Sequence, residues 1–134
     1  MKSRLLALLV ACFVVTCLLA ADAPAAVVEL LRTAADALAE GDAAAFLEHF
    51  DKATPGYAQI RDDVEALLVA ELVASSIEIV KDAGDDQRRD LELDWLLKVG
   101  SGPNKRVIVK CRVERRGRGW KITRFEPVDF FRAR

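Results

Sequence analysis

The chain has 134 residues, with 20 Lys and Arg against 21 Asp and Glu, and 52% of its residues are hydrophobic. That length accommodates one domain and not two. The apolar content is too high for a disordered chain and the charge too evenly mixed for an acidic or basic tail protein. Three cysteines and a single histidine argue against a disulfide scaffold and against a His/Cys metal cage.

The N-terminus reads as an address. Lys2 and Arg4 are followed by an apolar run from Leu5 to Leu19, broken only by Thr16, and then by the small-residue stretch Ala20-Ala21-Asp22-Ala23-Pro24-Ala25. A basic start, an apolar middle and a small-residue exit make a secretory signal peptide, with Ala23-Pro24-Ala25 as an A-x-A cleavage site and Ala20 or Ala21 as alternatives. The boundaries expected are a signal peptide over 1–25 and one domain over 26–134. An uncleaved anchor is the competing reading, but the apolar run is short of the roughly 20 residues that span a bilayer. Lipidation at Cys12 or Cys17 is a further alternative; Cys12 lies too early, and Thr16 stands where a smaller residue belongs before Cys17. The expected location is therefore outside the cytoplasmic membrane, periplasmic or secreted. The mature domain would keep only Cys111, so no internal disulfide can form and stability must come from the core.

The mature chain reads as helices first and strands second. Val27, Leu30, Leu31, Ala34, Ala35 and Leu38 recur at helical spacing and predict a helix over Ala26–Ala39. Gly41 suits the position just past its end, and Asp42 suits the N-cap of a short helix from Ala43 to about Phe50. Thr54-Pro55 reads as an N-cap followed by Pro in the first turn of a third helix reaching Leu72, with Tyr57, Ile60, Val64, Leu67 and Leu68 on one face. Gly56 would weaken that first turn by ~1 kcal/mol against Ala.

After Glu71 the period becomes two. Strands are expected over Val73–Lys81, Arg89–Val99, Arg106–Arg115 and Trp120–Phe125, separated by the turn clusters Asp82–Asp86, Gly100–Asn104 and Gly117–Gly119. The second strand is the clearest, with Leu91, Leu93, Trp95, Leu97 and Val99 alternating with charged residues. Charge suggests a register. With Trp95 opposite Val109, Asp94 faces Lys110 and Glu92 faces Arg112; with Val113 opposite Ile122, Glu114 faces Lys121. Both faces agree on an antiparallel meander with one buried side.

Glu40-Gly41-Asp42 with Phe46 and Phe50, and the ending Gly119-Trp120-Lys121-Ile122 followed by Pro127 and Phe130-Phe131, resemble the nuclear transport factor 2-like superfamily. The resemblance covers nearly all of the mature chain. It implies an α+β fold in which N-terminal helices pack on a curved four-stranded antiparallel sheet, a cone-shaped cystatin-like roll. Proteins of this resemblance include isomerases, dehydratases, polyketide cyclases and non-catalytic dimerising or cargo-binding modules, so the fold does not select an activity.

Side-chain chemistry narrows the choice. Phe50, Tyr57, Trp95 and Trp120 are expected around the cone, as core or as an aromatic wall for a small apolar ligand. Strand alternation places Arg124 with Trp120 and Ile122; facing inward it would need an anion, and a twisted strand would leave it in solvent. His49 and Tyr57 are the residues a cone-pocket enzyme of the isomerase or cyclase type would use. The strand-two carboxylates Asp90, Glu92 and Asp94 all fall on the face opposite Trp95, so an inward acid is missing there, which counts against the enzyme. Cys111 on the inner face is a small hydrophobe with no evident base.

No phosphate loop, paired metal ligands, nucleophile elbow or internal repeat is present, so neither a cofactor nor a metal is expected. Charge is split along the chain: residues 26–102 carry 7 basic and 17 acidic side chains, residues 103–134 carry 11 basic and 3 acidic. Arg115-Arg116-Gly117-Arg118 is the densest basic part, suited to anionic headgroups or an acidic partner rather than to nucleic acid. Membrane contact otherwise comes only through an uncleaved signal or a lipid anchor. The reading is an exported, non-enzymatic binding or interaction module, with a small apolar ligand in the cone or a second copy of the chain as its partner. A small cone-pocket enzyme using Tyr57 and His49 is the alternative.

Overall fold

A computed structural model describes residues 23–100 and 102–133, and the expected apolar leader lies outside them. Helix α1, Ala25–Ala39, buries Val27, Leu30, Leu31, Ala34, Ala37 and Leu38, so Ala37 rather than Ala35 completes the apolar stripe. It ends as the sequence suggests. Gly41 takes φ 72°, its N–H reaches the Leu38 carbonyl at 3.1 Å, and the Asp42 N–H reaches the Ala37 carbonyl at 2.9 Å. That is a Schellman closure, and the left-handed residue in it favours glycine. Asp42 then caps α2, Ala43–Leu47, by accepting the Ala45 N–H at 3.0 Å.

Helix α2 stops before Phe50 because the chain turns to cover a sheet edge. The Asp51 N–H donates to the Ile122 carbonyl and the Ile122 N–H to the His49 carbonyl, both at 2.8 Å, pairing Phe50 with Ile122 in a parallel bridge. Thr54 is not a helix cap. It is buried, and its hydroxyl lies 2.6 Å from the Asp51 carbonyl and 2.9 Å from the Ile122 carbonyl, fastening this loop to the sheet. Helix α3, Tyr57–Ala70, starts two residues later than Pro55 because Gly56 adopts φ 77°, outside helical geometry. A side chain at Gly56 would also meet Val128 Cγ1 at 2.6 Å.

The strands β1 (Val73–Gly84), β2 (Arg88–Val99), β3 (Lys105–Arg116) and β4 (Gly119–Glu126) form one antiparallel sheet in sequence order. The fold class is therefore the expected one, three helices on a four-stranded antiparallel sheet. The register of β3 and β4 near their turn also matches, Val113 opposite Ile122 and Glu114 opposite Lys121.

The register of β2 and β3 differs by two residues. Trp95 faces Val107, Leu93 faces Val109 and Leu91 faces Cys111. A slide of two leaves every side chain on the same face, so burial cannot distinguish the alternatives. In the observed register Arg112 holds Asp90 at 2.7 Å, Lys110 lies opposite Glu92, and Arg106 reaches diagonally to both oxygens of Asp94 at 2.9 and 2.5 Å. Two bulges bend the sheet. Val80 is unpaired between Ile79 and Lys81, and Thr123 is unpaired between Ile122 and Arg124. The core lies between the helices and the concave face, where Leu91, Leu93, Trp95, Leu97, Val109, Cys111 and Val113 are buried.

Candidate functional site: the concave face

The concave face has two parts of different chemistry. The first is aromatic. Phe46 touches Phe50 (5.4 Å between centroids) and Phe131 (5.3 Å), Phe50 touches Phe125 (5.7 Å), and Trp95 stands edge-on to Phe125, Phe130 and Phe131 at 5.5–5.8 Å. Phe125 and Phe131 stack at 5.5 Å. All six rings are buried, and such tilted and edge-on contacts add ~0.5–1.5 kcal/mol per pair beyond area burial.

Phe130 and Phe131 come from the C-terminal tail, which Lys105 fastens by donating from Nζ to the carbonyls of Phe130 (2.6 Å) and Arg132 (3.2 Å). Outside this tail runs a surface groove of about 230 Å³ lined by Lys105, Val107, Pro127, Asp129, Phe130 and Arg132.

The structure thus brings Phe50 and Trp95 together through Phe125, but not the whole expected set. Tyr57 sits at the first position of α3, partly exposed and packed on the edge of the core. Trp120 is buried, yet its ring contact is the Arg115 guanidinium, 5.4 Å from the centroid. Arg124 is on the outer face, exposed and 3.3 Å from Glu126. The cause is the bulge at Thr123, which shifts the alternation by one, turns Phe125 inward and turns Arg124 into solvent. His49 is half-buried beside the edge of β4; burial foremost, then the charge of Lys121, lowers its pKa, and Glu48 opposes them. Burial, with Asp90 adding to it, pushes the Cys111 thiol up to about 12, so it is no nucleophile.

The second part lies at the hairpin end of the same face, and the sequence reading passed over it. Arg89 is buried; its Nε donates to Asp82 Oδ1 at 2.8 Å and its Nη1 to the Asp85 carbonyl at 3.0 Å. Asp82 belongs to β1, opposite the buried Leu91, and supplies the inward acid that β2 and β3 lack. Its Oδ2 is buried with no hydrogen-bond partner. Trp120, two residues from the inward Ile122 and opposite Arg115, likewise has a buried Nε1 with no partner. The signal for Arg89 was present: the alternation through Leu91 and Leu93, carried back two residues, lands on it. Asp82 was hidden because Asp-Ala-Gly-Asp-Asp reads as a turn, and the strand continues through its first three residues.

The outer face is polar and largely answered at home. Asp94 is held below the usual carboxylate range first by the Arg106 hydrogen bond, then by that residue's charge. Asp90 pairs with Arg112, and Lys81 with Glu92. Among the described residues no cluster of His, Cys, Asp and Glu could hold a metal ion, and no described helix is long and apolar enough to cross a membrane.

This arrangement recurs in solved structures. A protein of unknown function from Shewanella oneidensis, described as NTF-2 like, superposes with a TM-score of 0.65 at 15% identity, covering 74% of this chain and 93% of that one. The chain has the nuclear transport factor 2-like fold. A protein of unknown function with a cystatin-like fold from Nostoc punctiforme shares this fold with a TM-score of 0.59 at 16% identity, over 75% of this chain and 85% of the other. Bd1075 of Bdellovibrio bacteriovorus matches with a TM-score of 0.66 at 11% identity, over 75% of this chain, which spans only 39% of that protein. No protein-family model and no curated protein matches the sequence. The nuclear transport factor 2-like likeness is thus one of architecture, and function must be argued from the residues.

Proposed function

We propose that this protein is an exported, non-catalytic interaction module. One observation supports the reading above others: the six buried rings of Phe46, Phe50, Trp95, Phe125, Phe130 and Phe131 pack against one another where an enzyme of this fold would need a substrate. A cone-pocket enzyme needs Tyr57 or His49 facing an internal cavity with a second polar group. Tyr57 lies instead at the core's edge, and His49 beside the edge of β4.

On this reading the working surface is external, and the outer sheet face offers it to a second copy. Its β1–β2 half carries Glu78, Asp90, Glu92 and Asp94 with Lys81 and Lys98 among them; its β3–β4 half carries Arg106, Lys110, Arg112 and Arg124 with Glu114 and Glu126 among them. Half-buried Leu96 and exposed Ile108 lie at the seam. A two-fold axis over that seam sets each half, on balance acidic, on a half on balance basic, adding contacts between copies to the ion pairs already made within the chain.

Native mass spectrometry on protein recovered from outside the cytoplasmic membrane tests both parts. The expected result is a dimer mass with no organic ligand, weakening as salt rises. A reproducible organic mass excess, lost on denaturation, would replace this reading with a ligand-holding cone. A monomer at low salt would remove the second copy and leave the charged face to another partner.

A further inference from the structure

We infer that the hairpin end of the concave face binds a small phosphate-type oxyanion between the Trp120 indole N–H and the Arg115 guanidinium. The inference goes beyond the interaction module proposed above and stands on different residues. The two indoles make the first argument. Trp95 Nε1 donates to Ser75 Oγ at 3.1 Å, whereas Trp120 Nε1 is buried with no acceptor. An indole N–H can only donate, so the missing group must be an acceptor. A buried donor left unpaired costs ~1–3 kcal/mol, which a bound acceptor would recover.

The second argument is charge. Arg115 lies over the Trp120 ring at 5.4 Å, is exposed, and forms no ion pair among the described residues. Arg118, at the turn between β3 and β4, forms none either. Of the acids at this end only Asp86, exposed in the turn beside Gln87, has no partner among the described residues, and the others are committed elsewhere. Asp51 and Glu114 both hold Arg116, at 3.1 and 3.7 Å. Asp85 accepts the backbone N–H groups of Gln87 and Arg88, at 2.8 and 2.9 Å, and Asp82 holds Arg89. An uncommitted guanidinium over an uncommitted indole donor calls for an acceptor that is also an anion, and a phosphate oxyanion has lone pairs enough for both. Trp120 is 6% exposed and its Nε1 is enclosed, so an oxyanion reaches the N–H only when the exposed Arg115 side chain above the ring re-aims. The backbone beneath is fixed by the Arg115 N–H, which donates to the Gln87 carbonyl at 2.8 Å.

The test is an NMR titration of the ¹⁵N-labelled protein with inorganic phosphate at constant ionic strength, following the two indole N–H resonances. The Trp120 resonance should move downfield and saturate while that of Trp95 stays, and sodium chloride should move neither. Arg115→Gln, a change at an exposed position, should weaken phosphate binding about tenfold, the scale of one charge-assisted hydrogen bond. Trp120→Phe should abolish phosphate binding read by calorimetry, with a thermal melt confirming the fold. An unmoved Trp120 resonance, or both resonances drifting together, would overturn the proposal, as would an unchanged affinity in Arg115→Gln. A second arm distinguishes sources. Sedimentation with vesicles of phosphatidylglycerol but not phosphatidylcholine, lost in Arg115→Gln, would make the oxyanion a lipid headgroup; titration by phosphate alone would make it the free ion.

Discussion

The two ends of the concave face are built on one sheet by one alternation of side chains, yet they end in opposite states. At the aromatic end every ring meets another ring, and the tail supplies Phe130 and Phe131 to complete the packing. At the hairpin end the same alternation delivers Arg89, Trp120 and, from β1, Asp82, and two of their polar atoms find no partner. Apolar surface is satisfied by any neighbour of the right shape, whereas a buried donor or acceptor needs a specific one. The aromatic end is where this protein stores stability, and the hairpin end holds two of the four buried side-chain polar atoms without a hydrogen-bond partner among the described residues, the others being Asp63 Oδ2 and Thr123 Oγ1.

The two tryptophans give the sharpest way to break that contrast. Trp95→Ala should cost about 3–5 kcal/mol in urea unfolding, the range for removing a large buried aromatic from a packed core. Trp120→Phe keeps most of the ring and removes a donor that has no acceptor, so it should cost less than about 1 kcal/mol. Equal losses at the two positions would mean that the ends do not differ in packing.

The ion pair of the hairpin end comes next. Arg89 and Asp82 are both at least largely buried, with side-chain exposures of 5% and 11%. Asp82→Ala leaves the buried guanidinium with the Asp85 carbonyl but without its paired carboxylate, and should cost about 3 kcal/mol, because breaking a buried pair strands a charge. Replacing both, Asp82→Ala with Arg89→Met, should recover most of that loss in the same denaturation experiment. A double variant no better than the single one would mean that the pair positions the β1–β2 hairpin through more than its charge.

The sequence shows which parts of this contrast were legible. Helix α1 and its closure at Gly41 follow from local spacing and one left-handed residue, and they were readable to within a residue. The faces of β2 and β3 were readable for the same reason, since a period of two needs no knowledge of the partner. What escaped depended on partners far along the chain. The slide between β2 and β3 leaves both faces and the charge complementarity satisfied in either register, and the observed one forms Asp90–Arg112 and Asp94–Arg106. The bulge at Thr123 has no local signature, yet it exchanges Phe125 for Arg124 on the inner face. Thr54 reads locally as a helix cap and is instead tied to Ile122.

Arg124 itself supplies a smaller test of the bulge. It is half exposed and its Nε lies 3.3 Å from Glu126, so Arg124→Ala should change stability by no more than about 0.5–1 kcal/mol. A loss of several kcal/mol in thermal or urea unfolding would mean that the guanidinium reaches into the concave face after all, and the aromatic end would then have a polar neighbour that the contrast denies it.

The smallest effect is one of pH, at the boundary of the hairpin end. His49 lies beside β4, its carbonyl accepting the Ile122 N–H at 2.8 Å. Burial, then Lys121, lowers its pKa from the ordinary value. The unfolded chain therefore binds the His49 proton more readily than the folded one, and the sign follows: the histidine's contribution is complete above the unfolded value of about 6.5 and is lost as pH falls through the lower folded value. Asp51, Asp85 and Asp94 are also lowered. Backbone N–H groups lead for the first two and the Arg106 hydrogen bond for the third, so their contributions disappear in a separate window, below about 4. Unfolding free energy measured against pH should thus decline in two steps. His49→Gln should flatten the step just below pH ~6.5 and leave the acid step intact. A wild-type curve flat from neutrality down to the acid step would mean that His49 is solvated, and that the loop covering β4 sits less tightly on the hairpin end than Thr54 and Asp51 hold it here.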